Sequence, residues 1–357
     1  MEVFSDAFHK GEIIAHWGIV VCIVRLLAQM AIMAVMFLGG AAGAALGADP
    51  AELTLGVSSS GLTVFAVWMA EAGGFYKKEG LNVRIVNLEG GTRGLQVLLA
   101  GKIQAVHAGL GPLAQANREG ADLRMIASTT RSIPFAFFAA PEIKTAADLR
   151  GGVVAVATFG SEGDIATTMA LQRLGLGRKE VVVVQVGEFS KRFAVLLSGQ
   201  AKATMLVEPA STIARERGLT QLFDLAAAKI PWVSAGLTVR RAALQTQRDL
   251  LARLIRAEVE AAYFAAVNER SSKELIAQKF KTADPKAIDA TYRDFKRIVQ
   301  LDAEPSTAGA ANVFKELEAI GISVGSRSVE DYIDYSVLRS LAKDGFFDAM
   351  KRKYSVQ

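Results

Sequence analysis

The chain has little of the chemistry on which most catalytic and metal sites depend. Its 357 residues include one cysteine, Cys22, and three histidines, His9, His16 and His107. An intramolecular disulfide is therefore excluded, and no Cys/His cluster has the spacing of metal ligands. The sequence contains no G-x-x-x-x-G-K-[ST], G-x-G-x-x-G or G-x-S-x-G motif, the usual signs of phosphate-binding loops and serine nucleophiles. We therefore expect a protein without metal or cofactor, and we assign no catalytic residue.

Basic runs with interleaved aromatic residues are also missing, which argues against nucleic acid as a partner. The formal net charge is +5, but the 41 lysines and arginines are spread along the chain. Hydrophobic residues make up 51% of the sequence. This share is enough to bury a large core and excludes a disordered chain. The length allows one large domain or two of ordinary size.

The first 48 residues differ from the rest of the chain. Two basic residues, Lys10 and Arg25, precede a run at 26–38 that has a single polar member, and small residues follow at 39–48. This order of charged, apolar and small segments is typical of a secretory signal peptide. The alternative is an uncleaved membrane anchor, although the apolar run is short for a membrane span. We predict that residues 1–48 are a signal peptide and that the protein is exported to the periplasm.

One nine-residue pattern occurs twice, 98 positions apart. Residues 97–105 read VLLAGKIQA and residues 195–203 read VLLSGQAKA. Apolar periodicity around each copy predicts the same order of elements, β-α-β-α-β, which is typical of a parallel sheet with helices on its faces. We expect strands at 53–57, 81–86 and 104–108 with helices at 62–72 and 90–101, and strands at 153–157, 181–186 and 203–207 with helices at 164–174 and 190–199.

The repeat therefore predicts two similar α/β lobes. We place lobe 1 at residues 49–132 and 238–357, and lobe 2 at residues 133–237. The chain then crosses twice between the lobes, and two crossings make a hinge. The long helical region from residue 245 onward is expected to cover lobe 1. A cleft between two such lobes is the default ligand site.

Several motifs resemble a known family. Residues 70–83, AEAGGFYKKEGLNV, resemble a signature near the start of periplasmic solute-binding proteins that serve ABC importers for nitrate, sulfonates, taurine and thiamine-pyrimidine precursors. The elements at 97–105, 145–151 (TAADLRG) and 207–209 (VEP) match further motifs of that family, and the match spans about 53–224. The resemblance implies a type II periplasmic-binding-protein fold, capture of a small solute, and delivery to a permease in the inner membrane by a monomeric protein.

Candidate ligand residues follow from the rule that parallel-sheet lobes bind ligands beyond the carboxyl ends of their strands. Loops at these ends offer hydroxyls, backbone N–H groups at helix starts, and glycines that allow close approach. The predicted ligand-binding residues are Ser58, Ser59, Ser60, Gly91, Thr92, Gly109, Phe159, Gly160, Ser161, Glu162 and Glu208. The serines equally suit helix caps.

Charged residues near the predicted cleft argue in two directions about the charge of the ligand. Arg93 and Lys191 occupy equivalent positions in the first turns of two predicted helices, where a cation opposes the helix dipole unless an anion binds nearby. Glu162 and Glu208 argue instead for an amine or a hydroxyl-rich ligand. We favour a small anion such as a sulfonate or carboxylate. We interpret His107, which lies in an apolar strand, as a core residue.

Two other classes of function remain open at this point. An enzyme related to the pyrimidine (thiamine precursor) synthases could share the fold, but those look-alikes carry a cysteine-rich segment and several histidines. Without residues 1–48 this chain would keep no cysteine and one histidine. A ligand-sensing domain of a regulator is disfavoured by the export signal and by the missing DNA-binding module. A binding protein without enzymatic activity is therefore the preferred reading.

Overall fold

The computed structural model describes residues 50–326 and 328–356, which form one compact unit with two five-stranded sheets. The predicted signal peptide lies outside the described residues. The ten strands are β1 (Ala51–Val57), β2 (Leu81–Asn87), β3 (Ala105–Ala108), β4 (Leu123–Ala127), β5 (Ala136–Ala139), β6 (Val153–Val156), β7 (Val182–Gln185), β8 (Ala203–Leu206), β9 (Thr220–Asp224) and β10 (Gly236–Arg240).

The helices are shorter and more numerous than the periodicity predicted. They are α1 (Phe65–Ala72), α2 (Phe75–Lys78), α3 (Gly91–Leu99), α4 (Leu110–Arg118), α5 (Glu162–Arg173), α6 (Phe189–Leu197), α7 (Ala210–Glu216), α8 (Ala243–Thr246), α9 (Arg248–Val267), α10 (Glu269–Phe280), α11 (Pro285–Ile298), α12 (Thr307–Ala319), α13 (Ser336–Lys343) and α14 (Phe346–Tyr354). Among the described residues, none of these helices is both long and apolar enough to cross a membrane.

The two sheets share one topology, as the repeat predicted. The first has the order β2-β1-β3-β10-β4 and the second the order β7-β6-β8-β5-β9. In each, three parallel strands come from a β-α-β-α-β unit, and a fourth strand runs antiparallel to its neighbours. The fifth strand, β4 or β9, lies at the edge beyond it. Helices α3 and α6 begin and end 98 positions apart. The prediction of two similar α/β lobes is confirmed, and we call the first sheet with its helices lobe 1 and the second lobe 2.

The antiparallel strand of each sheet is the first strand that the chain forms after it crosses from the other lobe. Strand β5 follows the outward crossing and β10 follows the return. The crossings run side by side, since Ser132 forms an isolated β-bridge with Pro231 and the Ser128 hydroxyl donates to the Ser234 carbonyl oxygen at 2.8 Å. These crossings are the hinge.

The C-terminal helices cover lobe 1. Helix α9 packs on α1 and α2, with Leu251, Leu254 and Ile255 in the same buried cluster as the apolar face of α1. The sequence predicted one helix over 245–280, but the structure breaks it after Thr246 and at Asn268. The Asn268 side chain donates to the carbonyl oxygen of residue 264, which satisfies a free group at the end of α9.

Candidate functional site

The carboxyl ends of the parallel strands in the two sheets face each other across a narrow cleft. Loops after β1, β2 and β3 meet loops after β6 and β7 around a cavity of about 40 Å³. We call it the cleft pocket. A single buried water needs a cavity of roughly 10–15 Å³. The pocket therefore has room for only a few non-hydrogen atoms. Of the predicted ligand residues, those that line it are Ser58, Ser59, Gly91, Gly109, Ser161 and Glu162.

Side chains from both lobes hold the cleft closed. The Ser60 hydroxyl donates to Glu188 of lobe 2, and Asn87 Nδ2 donates to the other Glu188 oxygen at 2.8 Å. The Lys191 ammonium lies 2.8 Å from Glu89 across the cleft. Gly90 shows how tight the approach is, because a Cβ there would lie 2.3 Å from the Thr158 hydroxyl oxygen. The described arrangement is therefore that of closed lobes.

Lobe 1 contributes backbone and hydroxyl groups to the pocket. The Ser59 hydroxyl accepts a hydrogen bond from the Gly61 N–H at 3.2 Å, so part of its capacity serves the local turn. Gly91 is the first residue of helix α3, and the free N–H groups of that first turn point toward the cleft. Gly109 allows close contact with lobe 2, since a Cβ there would lie 3.0 Å from the Glu162 carboxyl carbon. The lobe 1 wall offers neutral donors near Glu89, which is paired with Lys191.

Glu162 is the most perturbed carboxylate of the pocket. It occupies the first turn of α5, after Ser161, whose hydroxyl accepts from the Asp164 N–H at 3.4 Å. Its oxygens accept from Trp232 Nε1 at 2.7 Å and from the Ser234 hydroxyl at 2.8 Å, both on the returning crossing. Burial raises the pKa of Glu162 to about 7, against the opposing effect of those two hydrogen bonds. Glu162 thus joins lobe 2 to the hinge and can exist protonated near neutral pH.

Arg192 is a functional candidate that the sequence interpretation missed. It lies on α6, is 2% exposed, and lines the cleft pocket. Its Nε donates to the Gly187 carbonyl oxygen at 3.0 Å, and Nη1 donates to the Met205 carbonyl oxygen at 2.7 Å and to Thr204 Oγ1 at 3.3 Å. The guanidinium carbon lies 4.2 Å from the centre of the Phe189 ring. Within the described chain, Nη2 makes no hydrogen bond and no carboxylate forms a salt bridge with this guanidinium.

The charge on Arg192 survives its burial. Burial lowers the pKa of Arg192 to about 10, and the nearby Glu188 carboxylate acts in the opposite direction. The side chain is therefore cationic at neutral pH. A buried cation without a direct carboxylate partner is costly unless another anion approaches it. One signal in the sequence could have found it, because Arg192 shares the helix face of Phe189, Phe193 and Leu196 at the spacing of an apolar stripe.

The two cations that the sequence singled out do not line the cleft pocket. Lys191 is exposed and pairs with Glu89, while Arg93 is exposed and makes no ion pair among the described residues. Neither residue therefore contributes its charge to the wall of the cleft pocket. The neighbour of Lys191, one position along α6, is the cation that faces the cleft.

Five of the predicted ligand residues do not line the cleft pocket. Phe159 is 50% exposed, and together with Thr92 and Gly160 it lines a separate groove between α3 and α4. Thr92 Oγ1 donates to the Phe159 carbonyl oxygen at 3.1 Å, so these residues join the lobes. Glu208 lies on the opposite side of the hinge, where it accepts from Arg215. Ser60, whose hydroxyl donates to Glu188, lies beside the pocket without lining it.

His107 belongs to the core of lobe 1. Its Nδ1 lies 2.9 Å from the Ala235 carbonyl oxygen and its Nε2 3.1 Å from the Glu258 carboxylate. Burial lowers the pKa of His107, but the charge and hydrogen bond of Glu258 outweigh this and leave the pKa raised. Both ring nitrogens face acceptors, which suits a protonated imidazole that ties β3 to α9 and the hinge.

Two α/β lobes joined by two crossings, with polar strand-end loops facing each other, define a type II periplasmic-binding-protein fold. The chain belongs to the NMT1/THI5-like family, whose sequence model matches residues 63–271. No curated protein matches the chain significantly in sequence.

Solved structures support the fold at low sequence identity. The alkanesulfonate-binding protein SsuA of Xanthomonas axonopodis pv. citri, bound to MOPS, is 16% identical with a TM-score of 0.65, covering 81% of this chain and 100% of its own. The periplasmic nitrate-binding protein NrtA of Synechocystis PCC 6803 is 13% identical with a TM-score of 0.64, covering 83% and 89%. A DszB mutant in complex with biphenyl-2-sulfinic acid is 17% identical with a TM-score of 0.60, covering 83% and 99%. These likenesses show the fold.

Proposed function

We propose that this protein captures a small anionic solute, such as a sulfonate or carboxylate, in the cleft pocket and delivers it to an ABC importer. The observation that carries the proposal is Arg192. Its guanidinium is buried between the lobes, holds its orientation through three hydrogen bonds to lobe 2, and keeps Nη2 without a partner among the described residues. A guanidinium group donates short, charge-assisted hydrogen bonds to the oxygens of planar carboxylates and of tetrahedral sulfonates.

The acidic residues of the pocket do not cancel this preference. Glu89 is paired with Lys191, and both Glu188 oxygens accept hydrogen bonds from lobe 1. Glu162 has a pKa of about 7 and accepts from Trp232 and Ser234. An anion that approaches Arg192 therefore meets carboxylates whose charge is already engaged or reduced by protonation. Neutral donors of lobe 1, at Ser58 and the start of α3, complete the site.

Closure of the lobes brings the neutral donors of lobe 1 and the Arg192 guanidinium of lobe 2 onto the same solute. Lobe 1 alone offers hydroxyls and N–H groups, and lobe 2 alone offers Arg192 in an open, hydrated cleft. When the lobes close, water leaves and each hydrogen bond to the solute strengthens. The hinge crossings absorb the rotation, so the lobes need not deform. Retention of the solute in the closed form is what a carrier that hands its cargo to a permease requires.

Two proteins with the same fold support an extracytoplasmic place of action. The named ligands of two proteins with this fold, a sulfonate and nitrate, are anions rich in oxygen acceptors. Both proteins are named as binding proteins, and NrtA as periplasmic. Together with the charged–apolar–small pattern of residues 1–48, these names support an extracytoplasmic carrier. We further propose that it acts as a monomer and without enzymatic activity.

A solute panel tests the proposal. Purified protein is titrated calorimetrically with alkanesulfonates, short carboxylates and nitrate, and with alkylammonium ions of matched size. We expect tight binding of at least one anion, an increased melting temperature, and recovery of the solute unchanged. Binding confined to the cations would contradict the anionic class while leaving the carrier role intact.

An enzyme is the second candidate, because one specific observation favours it. A buried carboxylate with a pKa near 7, such as Glu162, is suited to proton transfer. Both of its oxygens already accept hydrogen bonds, however, which favours a positioning role. Mass spectrometry of the solute after prolonged incubation separates the two readings, since turnover of the bound molecule would identify an enzyme.

A further inference from the structure

A second cavity lies on the side of the hinge opposite the cleft pocket. It has a volume of about 620 Å³, within the usual range for small-molecule sites. The alternation of the outward crossing locates it, since Phe135 faces the cleft pocket while Pro134 and Ala136 line the second cavity. The returning crossing alternates in the same way, with Pro231 in the second cavity and Trp232 bonded to Glu162 in the cleft. We call this cavity the hinge-side pocket.

Both lobes line the hinge-side pocket with ion pairs that are already formed. Glu208 of lobe 2 accepts from Arg215, and Asp294 on α11 of lobe 1 accepts from Arg297 at 3.1 Å. Burial raises the pKa of Asp294 against the attraction of Arg297, and the nearby carboxylates of Glu208 and Asp224 raise it further. The three carboxylates therefore share one electrostatic environment. Among the described residues, no cluster of His, Cys, Asp or Glu has the geometry to hold a metal ion.

Charged groups of both signs remain without an ionic partner in the same pocket. Asp224 forms no salt bridge in the described chain and accepts only from the Ala227 N–H and from Gln221. On the basic side, the Arg131 guanidinium donates only to the Arg297 carbonyl oxygen among the described residues, and the Lys229 ammonium has no hydrogen bond or ion pair among them. The pocket thus presents one free negative charge and two free positive charges.

Two hydroxyls in the wall point to a missing polar partner. The Ser132 hydroxyl oxygen is buried and has no hydrogen-bond partner. Ser211 also lines the pocket and makes no side-chain hydrogen bond within the part of the chain that the structure describes, so its hydroxyl is available to a ligand. A buried hydroxyl left unpaired costs roughly 1–3 kcal/mol, so native structures normally satisfy it with water or a ligand.

We propose that the hinge-side pocket is a second ligand site, for a small zwitterion of the amino-acid type. Its ammonium group lies against Asp224 and the hydroxyls of Ser132 and Ser211. Its acidic group lies against Arg131 and Lys229. A ligand with a single charge would leave either Asp224 or the pair Arg131 and Lys229 without an ionic partner. A metal ion would find no suitable cluster of ligands among the described residues. This site is distinct from the cleft pocket because the hinge strands separate them.

The test is calorimetric titration of the purified protein with glycine, β-alanine, 4-aminobutyrate and 6-aminohexanoate, which vary the distance between the two charges. Butylammonium and butyrate are the single-charge controls. We expect one of the four zwitterions to bind, and both Asp224→Asn and Lys229→Met to weaken that binding at least about tenfold. Lys102→Met, which removes an exposed lysine far from the pocket, is expected to leave it unchanged.

The cleft variant Arg192→Met separates this proposal from the function of the cleft. We expect it to weaken anion capture in the cleft at least about 30-fold and to leave zwitterion binding at the hinge-side pocket unaffected. Zwitterion binding that is lost in Arg192→Met and retained in Asp224→Asn would place the ligand in the cleft and overturn the proposal. Equal affinity for butyrate or butylammonium, or no binding of any zwitterion at millimolar concentration, would overturn it as well.

Discussion

Helices α3 and α6 hold equivalent places in the two lobes, yet they differ at the residue that reaches the adjoining strand. In lobe 1 that residue is Gly94, which packs so closely on β3 that a Cβ would lie 2.9 Å from Val106. In lobe 2, 98 positions later, it is Arg192, which bonds to Thr204 at the position of Val106. The same scaffold thus carries a tight apolar contact in one lobe and a buried cation in the other.

The two lobes contribute different kinds of groups to the cleft. Lobe 1 supplies glycines, hydroxyls and one carboxylate, Glu89, which is paired with Lys191. Lobe 2 supplies the charged groups Glu162, Glu188 and Arg192. Charge selectivity is therefore expected to reside in lobe 2, and the fit of the closed state in lobe 1. Each of the following substitutions tests one side of that division.

Replacing Arg192 by methionine is expected to have the largest effect. The substitution keeps an unbranched apolar stem beside Phe189 and removes the charge that binds the anion. Loss of one partner of a buried, hydrogen-bonded charge pair costs roughly 2–5 kcal/mol, so affinity for the anion should fall at least about 30-fold. Isothermal titration calorimetry measures this directly. The matched control is Arg93→Met, which removes an exposed arginine near the start of α3 and should leave affinity unchanged.

The pH dependence of stability should show the state of Glu162. Its pKa is raised from 4.5 to about 7 by burial, so the folded protein binds its proton more tightly than the unfolded chain does. The stabilising effect of that proton is complete below about pH 4.5, and it is lost as the pH rises to about 7. At 1.36 kcal/mol for each pKa unit, the loss is about 3 kcal/mol.

Denaturant unfolding of wild type and Glu162→Gln between pH 4 and 8 measures this effect. The variant cannot titrate, so the free energy of unfolding of the wild type should decrease relative to the variant across that range. Parallel pH profiles for the two proteins would show that folding leaves the pKa of Glu162 unchanged, so that its carboxylate keeps its charge in the pocket at neutral pH.

The lobe 1 side of the comparison is tested at Gly90, with the smallest expected effect. A side chain there would collide with Thr158 of lobe 2, so Gly90→Val should hinder closure and lower affinity about tenfold, by roughly 1.4 kcal/mol. Gly120 also has a positive φ, but a Cβ there would meet no atom within 4 Å. Gly120→Val therefore imposes the backbone strain without the collision, and unequal affinities of the two variants would isolate the contact between lobes.

Much of the fold could be predicted because the same β-α-β-α-β pattern occurs twice in the sequence. Apolar periodicity and the 98-residue repeat predicted the three parallel strands and two helices of each β-α-β-α-β unit, and α3 and α6 keep that spacing at both ends. The helical tail was less predictable. No glycine or proline marks the break at Asn268, where a side-chain hydrogen bond to the preceding turn ends α9.

The site was predicted less completely, for a physical reason. Position after a parallel strand identifies which loops reach the cleft, and Ser58, Gly91, Gly109 and Glu162 followed that rule. It does not determine which way each side chain turns, and Glu208 turns to the other side of the hinge, toward Arg215. Arg192 was missed because it lies within a helix, where its place on the apolar face mattered more than its distance from a strand end.

A crystal structure of the protein with its best anionic ligand tests the central claim most directly. We predict closed lobes with the anion in the cleft pocket and one of its oxygens about 2.7–2.9 Å from Arg192 Nη2, the distance of a charge-assisted hydrogen bond. Backbone N–H groups at the start of α3 should contact the same ligand from lobe 1. A bound anion that leaves the Arg192 guanidinium uncontacted would contradict the account.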